Sequence, residues 1–308
     1  PRRRFGYGPY SARALTGYSS GPLADGLSHT FQFYWKERDG FVKNNFLGGH
    51  TDDRSVLGGL ASIIWTPAPD TEIKFRVMVE RVDDGSQRLT PLPVNPAYAG
   101  DPFRVNSDLR GRNETERYQL SLHGRRDFDW GTMKSITSFQ YWDLGPQTVD
   151  LDLLPGPFAH SLINQDQELW TQEFRFQSAE GAGPLSWRGG AFYMNKENSG
   201  NTRRVFPMDP SNPFDRSVTE RNGFNIEEQN FAAFGKAAYN VGGGFSLEAG
   251  ARVDFTEVSM NRKKTVAFSP DPAFSLPNQS PNSDALYFSP TAGIIYDYNE
   301  NLSGFVRT

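Results

Sequence analysis

One segment constrains the fold more than any other: GFSLEAGARVDF, residues 244–255. Phe245, Leu247, Ala249, Ala251, Val253 and Phe255 are all apolar. Between them lie Ser246, Glu248, Gly250, Arg252 and Asp254, which are small, polar or charged. Successive side chains of a β-strand point to opposite faces, so this stretch has one apolar face and one charged face. A helix would spread both sets around its circumference. The same alternation recurs along the chain. Phe31, Phe33 and Trp35 alternate with Gln32, Tyr34 and Lys36. Ile73, Phe75, Val77 and Val79 alternate with Glu72, Lys74, Arg76, Met78 and Glu80. Tyr118, Leu120 and Leu122 alternate with Gln119, Ser121 and His123, and Phe174 and Phe176 with Glu173, Arg175 and Gln177. Residues 133–142 alternate less cleanly, and their faces stay unassigned.

Two kinds of connection separate these runs. The short kind is rich in Pro, Gly, Asp or Asn: GPLADGL (21–27), TPAPDTE (66–72), DFDWGT (127–132), EGAGPLS (180–186), NVGGGFS (240–246) and DYNENLS (297–303). These compositions make hairpin turns. The long kind is polar and covers about 40–54, 83–115, 143–166, 195–227 and 259–284. The two kinds alternate, so each repeat of the architecture is two strands, one long loop and one short turn. The reading predicts about a dozen strands, at roughly 10–19, 27–38, 55–66, 71–82, 115–126, 132–142, 167–178, 185–195, 228–240, 245–258, 285–296 and from 302.

Three features choose lipid over a soluble core for the apolar face. Expected strand lengths of about 10–13 residues exceed the ~5–6 usual in globular proteins and fit the ~9–11 of a tilted membrane strand. Short turns at one end and long loops at the other are the pattern of an up-and-down outer-membrane barrel. Aromatics gather at the strand ends: Trp65, Trp130, Trp187, Tyr239, Tyr296 and Tyr298 near the short turns, and Trp35, Trp142 and Tyr193 at the other. Such rings form the girdles at headgroup level. Hydrophobic residues reach only 37% of the 308, which supplies a large soluble core thinly. A run of about 18 apolar residues is absent, which excludes a membrane helix but not a barrel.

Several segments then resemble the barrel of TonB-dependent outer-membrane receptors. They are GPLADGLSHTFQFYWKERDGFVKNNF (21–46), LGGLASIIWTPAPDTEIKF (57–75), WTQEFRFQS (170–178), GPLSWRGGAFYM (183–194), FAAFGKAAYNVGGGFSLEAGARVDF (231–255) and SPTAGIIYDYNENLSGFVRT (289–308). They fall in order and span most of the chain. The resemblance implies an all-β, antiparallel, 22-strand type barrel in the bacterial outer membrane. It also implies an N-terminal plug, a TonB box and TonB as partner. The expectation is that residues 1–308 are a partial barrel domain, with plug and C-terminal strands outside it. The implied function is import of a scarce nutrient such as a ferric siderophore, by loop capture and TonB-driven plug rearrangement, without bond chemistry. The other readings are a passive or adhesive outer-membrane barrel, and a soluble β-rich carbohydrate-binding module.

Candidate chemistry is sparse. There is no cysteine, which excludes disulfides, thiolate metal sites and cysteine nucleophiles. Net charge is −4, giving no electrostatic case for nucleic acid. His29, His50, His123 and His160 lack ligand spacing, so they read as solvent-facing or hydrogen-bonded rather than as metal ligands. Asp52–Asp53, Asp83–Asp84 and Glu227–Glu228 read as solvated rim charges, and Gly242–Gly244 as a turn without the Lys-Ser/Thr of a phosphate loop. Arg2–Arg4 reads as a surface or plug-facing segment. No cofactor motif stands out. Lumen-facing charges are expected at Lys36, Lys74, Arg76, Glu80, Glu173, Arg175, Glu248, Arg252 and Asp254, pairing across strands or with the plug. Loop residues Tyr98, Phe103, His160, Phe206 and Phe214 are the candidates for substrate contact.

Overall fold

The computed structural model describes residues 2–85, 100–181, 183–209, 216–299 and 302–308. Among them are seventeen strands and no helix. In chain order they are β1 (Arg2–Gly8), β2 (Ala12–Ala24), β3 (Leu27–Arg38), β4 (Val42–Asn44), β5 (His50–Thr51), β6 (Arg54–Ala68), β7 (Thr71–Gly85), β8 (Arg104–Val105) and β9 (Arg112–Phe128). There follow β10 (Gly131–Asp150), β11 (His160–Ser178), β12 (Leu185–Pro207), β13 (Ser217–Gly242), β14 (Phe245–Phe268), β15 (Phe274–Ser275), β16 (Asn282–Asn299) and β17 (Leu302–Arg307). One sheet runs β1-β2-β3-β6-β7-β9-β10-β11-β12-β13-β14-β16-β17, with β15 added beside β14. Its order follows the chain, as in an up-and-down wall, and neighbouring strands are antiparallel. The wall does not close on itself: β1 and β17 each have one neighbour.

Register carries the two faces from strand to strand. Val253 lies opposite Ala233, Ala233 opposite Ala191, and Ala191 opposite Phe174. This row is the apolar face. The adjacent row runs Arg252, Phe234, Gly190, Arg175, Lys134 and Arg125. A one-residue slip of any strand would exchange the faces. On the apolar face the large side chains stay open: Phe75, Val79, Leu122, Phe174, Phe231 and Leu247 are all exposed. The buried hydrophobic residues are only Val42, Val105, Val218, Ala232 and Val266 among the described residues. A soluble sheet of this size would hide its apolar face in a core. Here none of the described residues covers that face, as a lipid-facing wall requires.

Register also assigns residues 133–142. Phe139 lies opposite Leu120 and Trp170, on the apolar face, while Ile136 lies opposite His123 and Glu173 on the other. Aromatic rows flank the apolar band. Near the short turns Trp130 stacks on Phe128 and Trp187, with centroids 5.2 and 6.0 Å apart, and Phe245 meets Tyr296 at 4.4 Å. The far row contains Tyr118–Tyr141, Phe139–Trp170 and Tyr193–Phe231. Trp142 does not join it. That residue lies opposite Arg117 and Gln167, and Arg117 lies opposite Glu80, which places it on the charged face.

Strands far outrun the expected 10–13 residues: β12 has 23, β13 has 26 and β14 has 24. At ~3.3 Å per residue they extend to ~75–85 Å, well over twice a hydrocarbon core of ~30 Å. The segments 143–150, 160–166, 195–207, 217–227 and 259–268, expected as loop, are therefore mostly strand. Beyond the membrane both faces meet water, so alternation fades while the backbone ladder continues. Likewise Arg2–Arg4 belongs to β1, paired with Tyr18, Gly17 and Thr16. The short turns at 21–27, 66–72, 127–132 and 240–246 stand as expected, while those expected at 180–186 and 297–303 include residues outside the described ones. Gly243 and Gly244, with φ of 61° and 83°, link β13 to β14 in the left-handed region that favours glycine.

Val253→Arg should place an unpaired cation on the lipid face and cost about 2–4 kcal/mol if it lies near the midplane. Heat-modifiable migration of the outer-membrane protein reads this as a reduced folded fraction. Gly244→Val should strain the turn, because the left-handed φ disfavours a β-branched residue and a Cβ would approach the Asp297 carbonyl to 2.5 Å. The expected loss is about 1–3 kcal/mol, read by urea unfolding in lipid vesicles.

Candidate functional site

Two places on this wall gather polar chemistry: the charged face, and the end where the long connections lie. On the charged face, most carboxylates have partners within the sheet. Side chains two residues apart on a strand share a face, which lets Arg175 make a two-pronged pair with Glu173, both contacts at 2.8 Å. Arg252 grips Asp254 in the same way at 2.7–2.8 Å. Glu248 accepts from Lys236 at 2.7 Å and from Arg307 at 2.9 Å, across strands on both sides. Arg76 lies between Ser62 and Ser121, and its Nε is buried without a partner among the described residues. The expected lumen charges thus share one face and are largely neutralised along or across strands.

Toward the long connections the same face forms an open recess of about 760 Å³, lined in part by Tyr34, Lys36, Arg38, Arg54 and Glu80. Tyr34 donates its hydroxyl to Glu80, and its ring lies over Gly58, where a Cβ would collide with it. Glycine at 58 is what lets the ring lie flat against the wall. Arg38 pairs with Asp52 at 3.0 Å and Arg54 with Asp84 at 3.3 Å. Lys36 forms no ion pair among the described residues, and its ammonium sits 5.9 Å from the Tyr34 ring centroid. The recess therefore gathers four cations, Arg13, Lys36, Arg38 and Arg54, with Glu37 and Glu80, beside an ordered phenol; Arg13 and Lys36 form no ion pair among the described residues. Such a surface suits an anionic ligand with aromatic or polar edges. Arg38 and Arg54 were not among the sequence candidates, because each sits where alternation gives way to rim charges.

The described parts of two long connections are organised. Residues 38–54 and 100–112 are joined by a small sheet of β5-β4-β8, in which β4 pairs antiparallel with β5 and parallel with β8. Val42 and Val105 bury against it. Asn44 is fully buried; its Oδ1 accepts from the Phe46 and Leu47 amides, and its Nδ2 donates to the Ser107 carbonyl at 2.8 Å. Farther along, Asp150 Oδ1 accepts from the Asp152 and Leu153 amides, and Asp152 caps Leu154 and Ala159. These bonds fold the β10–β11 turn.

The five loop candidates do not share one setting. Tyr98 and Phe214 lie outside the described residues. Phe103 is half-exposed, with its ring 6.2 Å from Phe41, which in turn meets Tyr10 at 5.5 Å. Phe206 and His160 belong to strands, β12 and β11, and not to loops. Phe206 lies opposite Val218 in the polar extension of the wall. His160 Nε2 sits 3.0 Å from Asp108 Oδ1. Asp108, Asp150 and His160 each offer a donor atom within 4.8 Å of the others. No spacing in the sequence announces this group, since a long connection and strand pairing bring it together.

Solved structures share the fold. The ferric yersiniabactin uptake receptor FyuA of Yersinia pestis superposes with a TM-score of 0.75 at 15% identity, over 99% of this chain and 46% of that one. The ferric-catecholate import receptor Fiu of E. coli K12 gives 0.67 at 12%, over 99% and 49%. The siderophore receptor PiuA of Acinetobacter baumannii gives 0.66 at 13%, over 98% and 48%. The chain thus spans about half the length of these receptors. The model of the TonB dependent receptor-like β-barrel family matches residues 65–307. With its lipid-facing wall, short turns and matched family model, the chain belongs to the β-barrel family of TonB-dependent receptors of the bacterial outer membrane.

Proposed function

We propose that this wall belongs to a receptor that imports a ferric siderophore. Outer-membrane placement removes the soluble carbohydrate-binding reading. The proposal further holds that residues 1–308 are one part of the barrel domain, that further strands close it, and that a plug fills it. Ligand would be caught by the long connections and the recess, and TonB would then drive the plug to rearrange. TonB, the outer-membrane lipid and the siderophore are the partners in this reading. The protein's contribution is binding and gating; the cargo's iron stays in its own chelator.

The observation that carries the proposal is the recess with Lys36, Arg38 and Arg54 beside Tyr34. A ferric siderophore that presents anionic oxygens at its surface would find charge-assisted donors there, each worth about 1.5–3 kcal/mol. The neighbouring FyuA, Fiu and PiuA structures are all of siderophore or ferric-chelate receptors, which supports the class without choosing its member.

Uptake of radioactive iron should be measured in a deletion strain complemented with the full-length protein, using a panel of ferric catecholates, hydroxamates and citrate. At least one chelate should be restored. Lys36→Ala should weaken binding of that chelate about 3–10-fold, and Lys36→Glu more, with heat-modifiable migration unchanged. Restoration of none of the panel, or normal uptake by Lys36→Glu, would count against the proposal.

A further inference from the structure

We propose that Asp108, Asp150 and His160 form a binding site for a divalent transition metal, with zinc as the best-matched ion, that clamps two long connections at the mouth of the wall. The site is separate from any iron carried by a substrate.

The donors come from three chain segments. Asp108 follows β8 in the connection to β9, Asp150 ends β10 and His160 opens β11. Their donor atoms lie within 4.8 Å of one another. Ligands at ~2.0–2.2 Å from a tetrahedral zinc stand ~3.3–3.6 Å apart, so closure requires movements of about 1 Å. Asp150 is only 2% exposed, and the side chain of Asp108 is 13% exposed. These are not the solvated acidic groups that often cluster on surfaces.

Charge gives the second argument. Asp152 adds a third carboxylate two residues from Asp150, its oxygens held by the Leu154 and Ala159 amides. Among the described residues no Lys or Arg forms an ion pair with Asp108, Asp150 or Asp152. The nearest basic residue in sequence, Arg110, directs its guanidinium toward Gly49 instead. Among the described residues His160 is the only basic side chain paired with this group. Buried charges that lack a counter-charge are costly unless a cation joins them.

Donor chemistry selects the ion class. One imidazole nitrogen and two carboxylate oxygens suit zinc and its neighbours, whereas calcium takes 6–8 oxygens. Asp150 Oδ1 already accepts two amides, and Oδ2 faces the Ser107 hydroxyl at 2.5 Å. A carboxylate has about four lone-pair directions, so one on Oδ2 remains for a metal. The two amides and the hydroxyl hold this ligand in place, as outer partners of metal ligands do. Water would complete the coordination on the open side, where His160 is 27% exposed.

The test uses the full-length protein, without an affinity tag, in detergent and stripped with chelator. Zinc is titrated by calorimetry, and bound metal is counted by mass spectrometry. Cobalt serves as the spectroscopic probe. One zinc per chain should bind saturably, and His160→Gln and Asp108→Asn should each weaken it about tenfold or more. Cobalt should give a visible band that His160→Gln shifts or abolishes. Zinc should also slow hydrogen exchange at residues 106–111 and 150–160 in the parent and not in the variants. Asp150→Asn is unsuitable alone, because Asp150 also folds its turn. Absence of saturable zinc binding, or zinc binding that both variants retain unchanged, overturns the site. So does a cobalt spectrum indifferent to His160→Gln.

Discussion

Inside hydrocarbon, each backbone N–H and C=O must find a partner within the protein, because no water is there to take its place. The structure follows from that constraint. A ladder from β1 to β17 supplies the partners strand by strand. Two-residue connections such as Asp25–Gly26 and Gly243–Gly244 return the chain with few unpaired groups at one end. Side-chain alternation is then a consequence. One face is left to lipid and the other is turned inward. Only Val42, Val105, Val218, Ala232 and Val266 are buried hydrophobics among the described residues, because lipid does the work of a core.

The inward face solves a different problem. Charges crowded on one face of a sheet need neighbours, and the sheet provides them at fixed offsets. Glu173 and Arg175, or Arg252 and Asp254, meet two residues apart on one strand, while Lys236 and Glu248 meet across two. Among the described residues Lys36, Lys74 and Arg76 form no ion pair, and of these Lys36 lies in the recess, with a ring beside its ammonium. The recess is therefore one part of the charged face whose chemistry the sheet has not used up.

The wall was legible in sequence to the extent that its two faces meet different solvents. Phe245 to Phe255, Phe75 to Val79 and the turn at Asp25–Gly26 announced themselves for that reason. Where both faces meet water, as in 195–207 and 217–227, the alternation disappears although the strands continue. That is why Phe206 and His160 read as loop residues. Trp142 misled in another way. An aromatic near a strand end suggests a girdle, but its parity, set by pairing with Arg117 and Gln167, turns it inward. Spacing along the chain likewise misses Asp108, Asp150 and His160, which meet through tertiary structure. Composition does not number these encounters; register does.

The two-faced wall is open to a direct measurement, helped by the absence of cysteine from these 308 residues. Single cysteines placed from 245 to 255 in the full-length receptor, spin-labelled in lipid vesicles, report collisions with oxygen dissolved in the membrane and with a water-soluble nickel chelate. Oxygen accessibility should oscillate with a period of two residues, high at Phe245, Leu247, Ala249, Ala251, Val253 and Phe255 and low at the positions between. A uniform profile, a period near 3.6, or maxima at Glu248, Arg252 and Asp254 would contradict a lipid-facing β-wall with this register.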